Sequence, residues 1–189
     1  MTKDELRKKY REKRAAISAA QKSLWEDLML IQFQHLDIEI PSLIMTYAAM
    51  EKLNEFDPQL ITDYCYFKNP GQVLFYPVVD KKEKSINSVV VNDDTLFKEN
   101  KMGIPEPVDG MPMFPEEIDL IVVPLMAYDV RGHRVGYGNG YYDRFLKQCK
   151  DDVIKIGFSF FEPEPSIIGI TRYDVKLDYC ITPQRVYSF

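Results

Sequence analysis

Several short segments of this chain are apolar at nearly every position, and this pattern restricts the possible folds more than any other feature. LIMTYA (43–48), DLIVVPL (119–125) and IKIGFSF (154–160) are rich in residues that favour β-strands. A strand that is apolar on both sides belongs in a sheet whose two faces are covered, as in a parallel sheet with flanking helices. The pattern therefore predicts an α/β protein.

Helical and strand patterns alternate along the rest of the chain. Three further β-rich runs are QVLFYPVV (72–79), SVVVN (88–92) and DYCIT (178–182). Helical spacing covers residues 3–17, and a second helix is predicted over 19–36 with Ser18 as its N-cap. We expect a single domain over residues 1–189, in which helices flank a mostly parallel or mixed sheet and a helical pair forms the N-terminus. The side chains expected to anchor the second helix are Leu24, Trp25, Leu28 and Ile31.

Composition argues against several functional classes. The net charge of -5 disfavours a general nucleic-acid binder. The longest apolar run, from Leu120 to Tyr128, is 9 residues, whereas a membrane-spanning helix needs roughly 20. The charged N-terminus lacks signal-peptide features, so we expect a cytoplasmic protein without membrane association. The three cysteines, Cys65, Cys149 and Cys180, are expected to be reduced packing residues.

Positive charge is concentrated at the N-terminus. Residues 1–14 carry a net charge of +4 and the remainder carries -9. On a helical wheel Lys3, Arg7, Arg11 and Arg14 fall in one narrow arc beside the apolar stripe. A local basic feature in an acidic protein favours a specific anionic ligand over a polyanion. A solvated helix face remains the alternative.

A glycine-rich loop precedes a predicted helix in RVGYGNGYYDRFL (134–146). Glycines at alternate positions permit positive φ angles and a close approach of backbone N–H groups to a ligand. At a helix N-terminus such a loop suits a phosphate, although a flexible turn is also consistent with the glycines. The loop matches neither the dinucleotide fingerprint nor the P-loop.

Charged residues on both sides of this loop extend the argument. Arg134 and Arg144 could supply positive charge to a phosphate. Asp143 could either complement the helix dipole or hold a magnesium ion. Composition leaves both roles of Asp143 open.

The long segment AYDVRGHRVGYGNGYYDRFL closely resembles the signature of the 5-formyltetrahydrofolate cyclo-ligase family, also called 5,10-methenyltetrahydrofolate synthetases. Three further segments agree in order: KDELRKKYREKR near the N-terminus, GIPEP (103–107) and DVKLDYCIT (174–182). The resemblance runs from about residue 3 to residue 182. It implies an enzyme that depends on ATP and Mg²⁺ and closes 5-formyltetrahydrofolate into 5,10-methenyltetrahydrofolate, with release of ADP and phosphate.

Matching motif positions imply a set of site residues. The implied ATP contacts are Lys3, Arg7, Arg134, Val135, Gly136, Tyr137, Gly138, Asn139, Gly140, Tyr141 and Tyr142. The implied folate contacts are Ala48, Glu55, Tyr137, Gly138, Asn139, Gly140 and Tyr141. The implied Mg²⁺ ligands are Asp143 and Asp178. Glu51 is the alternative to Glu55, since the match at Glu55 needs about two extra residues before it.

Two residues depart from the family pattern. Tyr137 and Asn139 stand where some members have basic residues. We therefore expect the phosphate charge to be met by backbone N–H groups, by Arg134 and by the N-terminal helix.

The implied chemistry needs no protein nucleophile. Phosphorylation of the formyl oxygen would make it a leaving group for attack by N10 of the folate, and this demands alignment and charge stabilisation. The chain has no Ser-His-Asp or Cys-His set, in agreement with this demand. A nucleotide- or folate-binding protein of the same fold without turnover remains the alternative. The expected partners are small molecules and exclude nucleic acids, whereas protein partners are unknown.

Overall fold

Twelve strands and four α-helices make up the computed structural model, which describes residues 1–189. The helices are α1 (Lys3–Ala15), α2 (Ala19–Gln34), α3 (Gln59–Lys68) and α4 (Tyr141–Leu146), with 3₁₀ turns at Glu51–Leu53 and Pro115–Glu117. The strands are β1 (Leu43–Met45), β2 (Val73–Asp80), β3 (Ser85–Val91), β4 (Phe97–Glu99), β5 (Pro105–Pro107), β6 (Pro112–Met113), β7 (Leu120–Val123), β8 (Ala127–Tyr128), β9 (Arg134–Val135), β10 (Ile154–Phe158), β11 (Tyr179–Ile181) and β12 (Val186–Ser188). None of the helices is long and apolar enough to cross a bilayer.

Eight strands form one sheet in the order β12-β11-β10-β7-β1-β2-β3-β6. The five strands from β11 to β2 are parallel, and β12, β3 and β6 add antiparallel pairs at the two sides. All six predicted β-rich runs contribute a strand to this sheet. The predicted fold class, a mostly parallel mixed sheet flanked by helices, is confirmed.

The central strand β7 shows why the strand sequences are apolar throughout. Leu120 and Val122 point to one face of the sheet and pack in the core that contains α2 and α3. Ile121 and Val123 point to the opposite face and pack in the core that contains α4. Since successive side chains of a strand alternate between faces, a strand covered on both sides needs an apolar residue at each position.

Helix α2 begins as predicted but buries a different face. The Ser18 hydroxyl caps it by accepting a hydrogen bond from the Gln21 backbone N–H at 3.2 Å. Of the expected anchors, Trp25 packs against the core and Leu28 is half-buried, but Leu24 is 57% exposed and Ile31 is 46% exposed. The fully buried side chains are instead Met29 and Phe33. The helix carries apolar residues around most of its circumference, so packing against the sheet, and not periodicity, selects the buried face.

Helix α1 packs apart from the sheet, on the β8–β9 hairpin. Leu6 and Tyr10 are buried there against Met126, Ala127 and Val135. Its N-terminus has a reciprocal capping box between Thr2 and Glu5. This packing directs Lys3 and Arg7 towards the loops that follow the central strands, whereas Arg11 of the basic row is exposed.

Candidate functional site

A cavity of about 340 Å³ lies at the carboxyl ends of the central strands. Tyr47 and Ala48 follow β1, Pro77 and Val79 lie in the second half of β2, and Pro124 follows β7. The strand order reverses here, because β2 lies on one side of β1 and β7 lies on the other. Ligands of parallel α/β sheets bind at such switch points.

The glycine loop between β9 and α4 forms one wall of this cavity. Gly138 and Gly140 have φ angles of +108° and +66°, which L side chains rarely adopt. Arg7 holds the loop from α1, because its Nε donates to the Gly136 carbonyl at 2.8 Å. On the other side, Arg144 Nη2 donates to the Asn139 carbonyl at 2.9 Å. The loop therefore has a defined shape that depends on glycine.

Three cations and two carboxylates meet beside this loop. Arg134 is buried and donates to Asp143 Oδ1 at 3.0 Å, and Lys3 Nζ lies 2.5 Å from Asp174 Oδ1. The Val175 backbone N–H also donates to Asp143 Oδ1, at 3.0 Å. Burial lowers the pKa of Arg134, and the neighbouring Asp143 opposes that effect. With Arg7, these residues make one end of the cavity cationic, and we call it the cationic end.

The structure separates the two aspartates of the DVKLD segment. Asp178, the predicted magnesium ligand, lies outside the cavity: it accepts from the Lys155 backbone N–H at 2.7 Å and pairs with Lys155 Nζ at 2.8 Å. Asp174 instead lines the cavity with Asp143. Burial acts to raise the pKa of Asp174, but hydrogen bonds from Lys3 and Thr171 hold it below its usual value. The geometry thus brings Asp143 together with Asp174 and not with Asp178.

The opposite end of the cavity, which we call the apolar end, surrounds one buried carboxylate. Its walls come from separate segments of the chain: Met50, Leu53, Val79, Ile86, Met102, Ile104 and Pro105. Glu55 is only 1% exposed, and its Oε2 accepts from the Met50 backbone N–H at 2.9 Å. Burial raises the pKa of Glu55 in spite of its hydrogen bonds from Met50 and Tyr137. Glu51, the alternative candidate, is exposed and does not line the cavity.

Most of the residues predicted from the sequence line this cavity. The exceptions are Val135 and Asp178. Val135 is fully buried in the core beneath α1, and its carbonyl accepts from the Met126 backbone N–H at 2.7 Å. Sequence reasoning missed Asp174 as a lining residue. Asp174 begins the same DVKLD segment from which Asp178 was chosen, so the only available signal was the pair of aspartates.

The family model for 5-formyltetrahydrofolate cyclo-ligases matches residues 1–183. The chain belongs to this family. Among cyclo-ligases, the mitochondrial protein of Arabidopsis thaliana is 29% identical over 165 residues, which cover 76% of this chain and 60% of that protein. The cyclo-ligase of Mycoplasma pneumoniae is 24% identical over 190 residues, which cover 97% of this chain and 100% of the relative.

A solved cyclo-ligase structure confirms the architecture. The 5,10-methenyltetrahydrofolate synthetase of Aquifex aeolicus superposes with a TM-score of 0.77 and 27% identity. The superposition covers 100% of this chain and 93% of that protein. The family and the enzyme class expected from the sequence, a ligase, are therefore confirmed.

Proposed function

We propose that this cyclo-ligase converts 5-formyltetrahydrofolate into 5,10-methenyltetrahydrofolate and consumes ATP, with release of ADP and phosphate. The observation that carries the proposal is a single cavity with a cationic end, an apolar end and a glycine loop between them. Such a cavity can hold a phosphoryl donor beside an apolar acceptor. Family membership supports the same reaction.

The reaction divides into two steps. The formyl oxygen attacks the γ-phosphorus, the bond from that phosphorus to the bridging oxygen breaks, and ADP leaves. N10 then bonds to the formyl carbon as the bond from carbon to the phosphorylated oxygen breaks, so phosphate leaves and N10 loses its proton. Catalysis in such a sequence rests on alignment and on stabilisation of the phosphoryl charge.

The cationic end supplies that stabilisation. Lys3, Arg7 and Arg134 converge on the loop from two distant parts of the chain. Phosphate oxygens accept hydrogen bonds from guanidinium and ammonium groups, and backbone N–H groups of the glycine loop add further donors. These groups orient the γ-phosphoryl towards the apolar end.

The residues at the cationic end also fit a Mg²⁺ ion. Asp143 and Asp174 place two carboxylates where the phosphates would lie. Mg²⁺ is commonly bound by one or two carboxylates together with substrate phosphates. We propose that Asp143 and Asp174 hold the ion, in place of the predicted pair of Asp143 and Asp178. When bound, the ion would neutralise charge on the phosphoryl oxygens.

The apolar end suits the folate ring. Apolar walls exclude water, and the Glu55 carboxylate offers acceptors to ring N–H groups. Ala48 and Tyr141 line the same space. We propose that the ring binds here with its formyl group turned towards the glycine loop.

The first experiment follows both products in one tube. Purified protein is mixed with 5-formyltetrahydrofolate, Mg²⁺ and ATP, and the absorbance of the methenyl product is recorded while ADP is assayed. Equal formation of both products, and none without ATP, is the expected result. ATP turnover without methenyl product would contradict the folate assignment. Ligand-induced melting shifts without ADP release would favour a binding protein without turnover.

A further inference from the structure

Two buried groups of opposite charge, one of them lining the cavity, lie near each other without forming a direct ion pair. Arg14, at the end of α1, is 3% exposed, and Glu55 is 1% exposed. A buried charge is strongly unfavourable unless a partner satisfies it. Each of the two groups therefore needs hydrogen-bond partners within the fold.

The phenol of Tyr137 connects the two groups. Arg14 Nη1 donates to Tyr137 Oη at 3.1 Å, and Tyr137 Oη in turn donates to Glu55 Oε1. The other terminal guanidinium nitrogen of Arg14 donates to the Leu125 carbonyl, and this bond fixes the position of Arg14. Burial also raises the pKa of Tyr137, so the phenol remains protonated and able to donate.

A second contact ties the same segments together. The Asn54 side-chain amide donates to the carbonyls of Arg14 and Ile17, at 2.8 and 3.0 Å. Asn54 precedes Glu55 directly, so the backbone that carries the carboxylate is anchored to the end of α1. Glu55 is thereby held both through its backbone and through its carboxylate.

We infer that Tyr137, braced by Arg14, is a positioning residue that orients the Glu55 carboxylate towards the folate ring. The inference rests on the proposed function, since it assigns the apolar end to folate. An ionised carboxylate has about four acceptor sites, and the Met50 N–H and the Tyr137 phenol occupy two of them. The remaining acceptors are held in place for ring N–H groups.

The position of Tyr137 explains why this loop residue is not basic. Tyr137 belongs to the glycine loop, but its hydroxyl extends away from the cationic end and contacts Arg14 and Glu55. A basic side chain here would place a second cation next to Arg14. In this chain the residue at position 137 thus holds the Glu55 carboxylate, and Lys3, Arg7 and Arg134 bind the phosphates.

The chain contains a matched control for the key hydrogen bond. Tyr10 Oη donates to Glu164 Oε1 at 2.7 Å, outside the cavity. Tyr10 is also on α1 and is also buried. Tyr10→Phe therefore removes the same kind of bond as Tyr137→Phe without touching the site.

The test measures the Kd values of 5-formyltetrahydrofolate and ATP separately by titration calorimetry. For Tyr137→Phe we expect the folate Kd to rise about tenfold or more, as for loss of a hydrogen bond to a charged group. The ATP Kd should stay within about twofold, and Tyr10→Phe should change neither value. A loss of affinity for the folate alone would indicate that Tyr137 positions Glu55, whereas general loosening of the loop would weaken both ligands.

A double-mutant cycle then asks whether Tyr137 acts through Glu55. Glu55→Gln should weaken folate binding, and adding Tyr137→Phe to that variant should weaken it no further. Additive losses, or an unchanged folate Kd in Tyr137→Phe, would overturn the inference while leaving the proposed reaction intact. Equal weakening of both ligands in Tyr137→Phe would also overturn it. If the wild-type protein bound ATP but not the folate, that result would instead contradict the proposed function.

Discussion

The cationic and apolar ends of the cavity are assembled in different ways. The cationic end is built from short charged motifs: Lys3 and Arg7 lie one helical turn apart, and Arg134 and Asp143 bracket the glycine loop. The apolar end is built from β2, β3, the 3₁₀ turn at Glu51–Leu53 with Met50 before it, and the segment that leads into β5. Recognition of a phosphate demands a few charged residue types, whereas recognition of a flat ring uses the same residue types as any core.

The two ends also differ in how they hold charge. Lys3 and Asp174 at the cationic end are partly exposed, so solvent screens their attraction. Glu55 and Arg14 are almost fully enclosed, and a single phenol links their charged groups. Substitutions of Lys3 and Asp174 should therefore act mainly on ligand binding and chemistry, and substitutions of Glu55 and Arg14 should also change stability.

Asp143→Ala should produce the largest effect. The change removes one proposed Mg²⁺ ligand and leaves Arg134 without its carboxylate partner. We expect kcat to fall about 100-fold or more, as for loss of a group that stabilises transition-state charge. The measurement is the initial rate at saturating ATP and folate. Asp178→Ala is the matched control and should retain activity, since a comparable loss there would restore Asp178 as the ligand.

Arg7→Ala should have the next largest effect, and only on the nucleotide. Arg7 combines a contact to the Gly136 carbonyl with a guanidinium that faces Gly138. We expect the KM for ATP to rise about tenfold with little change in the KM for the folate. Arg11→Ala, on the exposed side of the same helix, is the control. A rise in both KM values would contradict the division between the two ends.

Glu55→Gln should change how the free energy of unfolding depends on pH, because it removes a buried group that titrates. The folded-state pKa of Glu55 is raised above its ordinary value of 4.5. Between these two pKa values the folded protein keeps a proton that the unfolded chain has released. The contribution of Glu55 to the wild-type unfolding free energy therefore falls as pH rises through that window.

The glutamine variant lacks this titration. Its stability relative to wild type should therefore increase with pH across the window and then level off. Urea unfolding at a series of pH values measures this difference. If the stability of the variant relative to wild type fell with rising pH, the fold would stabilise the ionised form of Glu55. That result would contradict the contrast drawn between the two ends.

Gly138→Ala should give the smallest effect, and it tests whether the backbone conformation of the loop requires glycine at this position. Its φ of +108° is strained for alanine, so we expect a loss of about 1 kcal/mol in the free energy of unfolding. Gly136→Ala is the control, because Gly136 lacks a positive φ and an added Cβ would meet nothing within 4 Å. Thermal unfolding of the two variants compares them. Equal losses would mean that backbone conformation does not explain the glycine at 138.

Much of the fold was predictable because its signals are local. The apolar strands of the sheet and the Ser18 cap follow from side-chain alternation and from a single capping hydroxyl. The buried face of α2 was not predictable. Leu24 and Phe33 are both apolar, and only packing against the sheet exposes one and buries the other.

The candidate site divides in the same way. The glycine loop, with Arg134 and Asp143 on either side, was visible as a contiguous motif. The position of Asp174 beside Asp143 depends on the bend near Thr171, where the Thr171 N–H and hydroxyl donate to Asp174. Asp174 and Asp178 belong to one short segment, and a one-dimensional pattern does not tell which of them faces the cavity.

The sequence by itself determined the α/β class, the cyclo-ligase resemblance and the loop that faces the proposed phosphates, because periodicity and short motifs are properties of neighbouring residues. Only the tertiary structure decided that Asp174 and not Asp178 joins Asp143, and that Tyr137 joins Arg14 to Glu55. Those contacts link residues that are distant along the chain. Their geometry follows from how the helices and loops pack around the sheet, which no local pattern encodes.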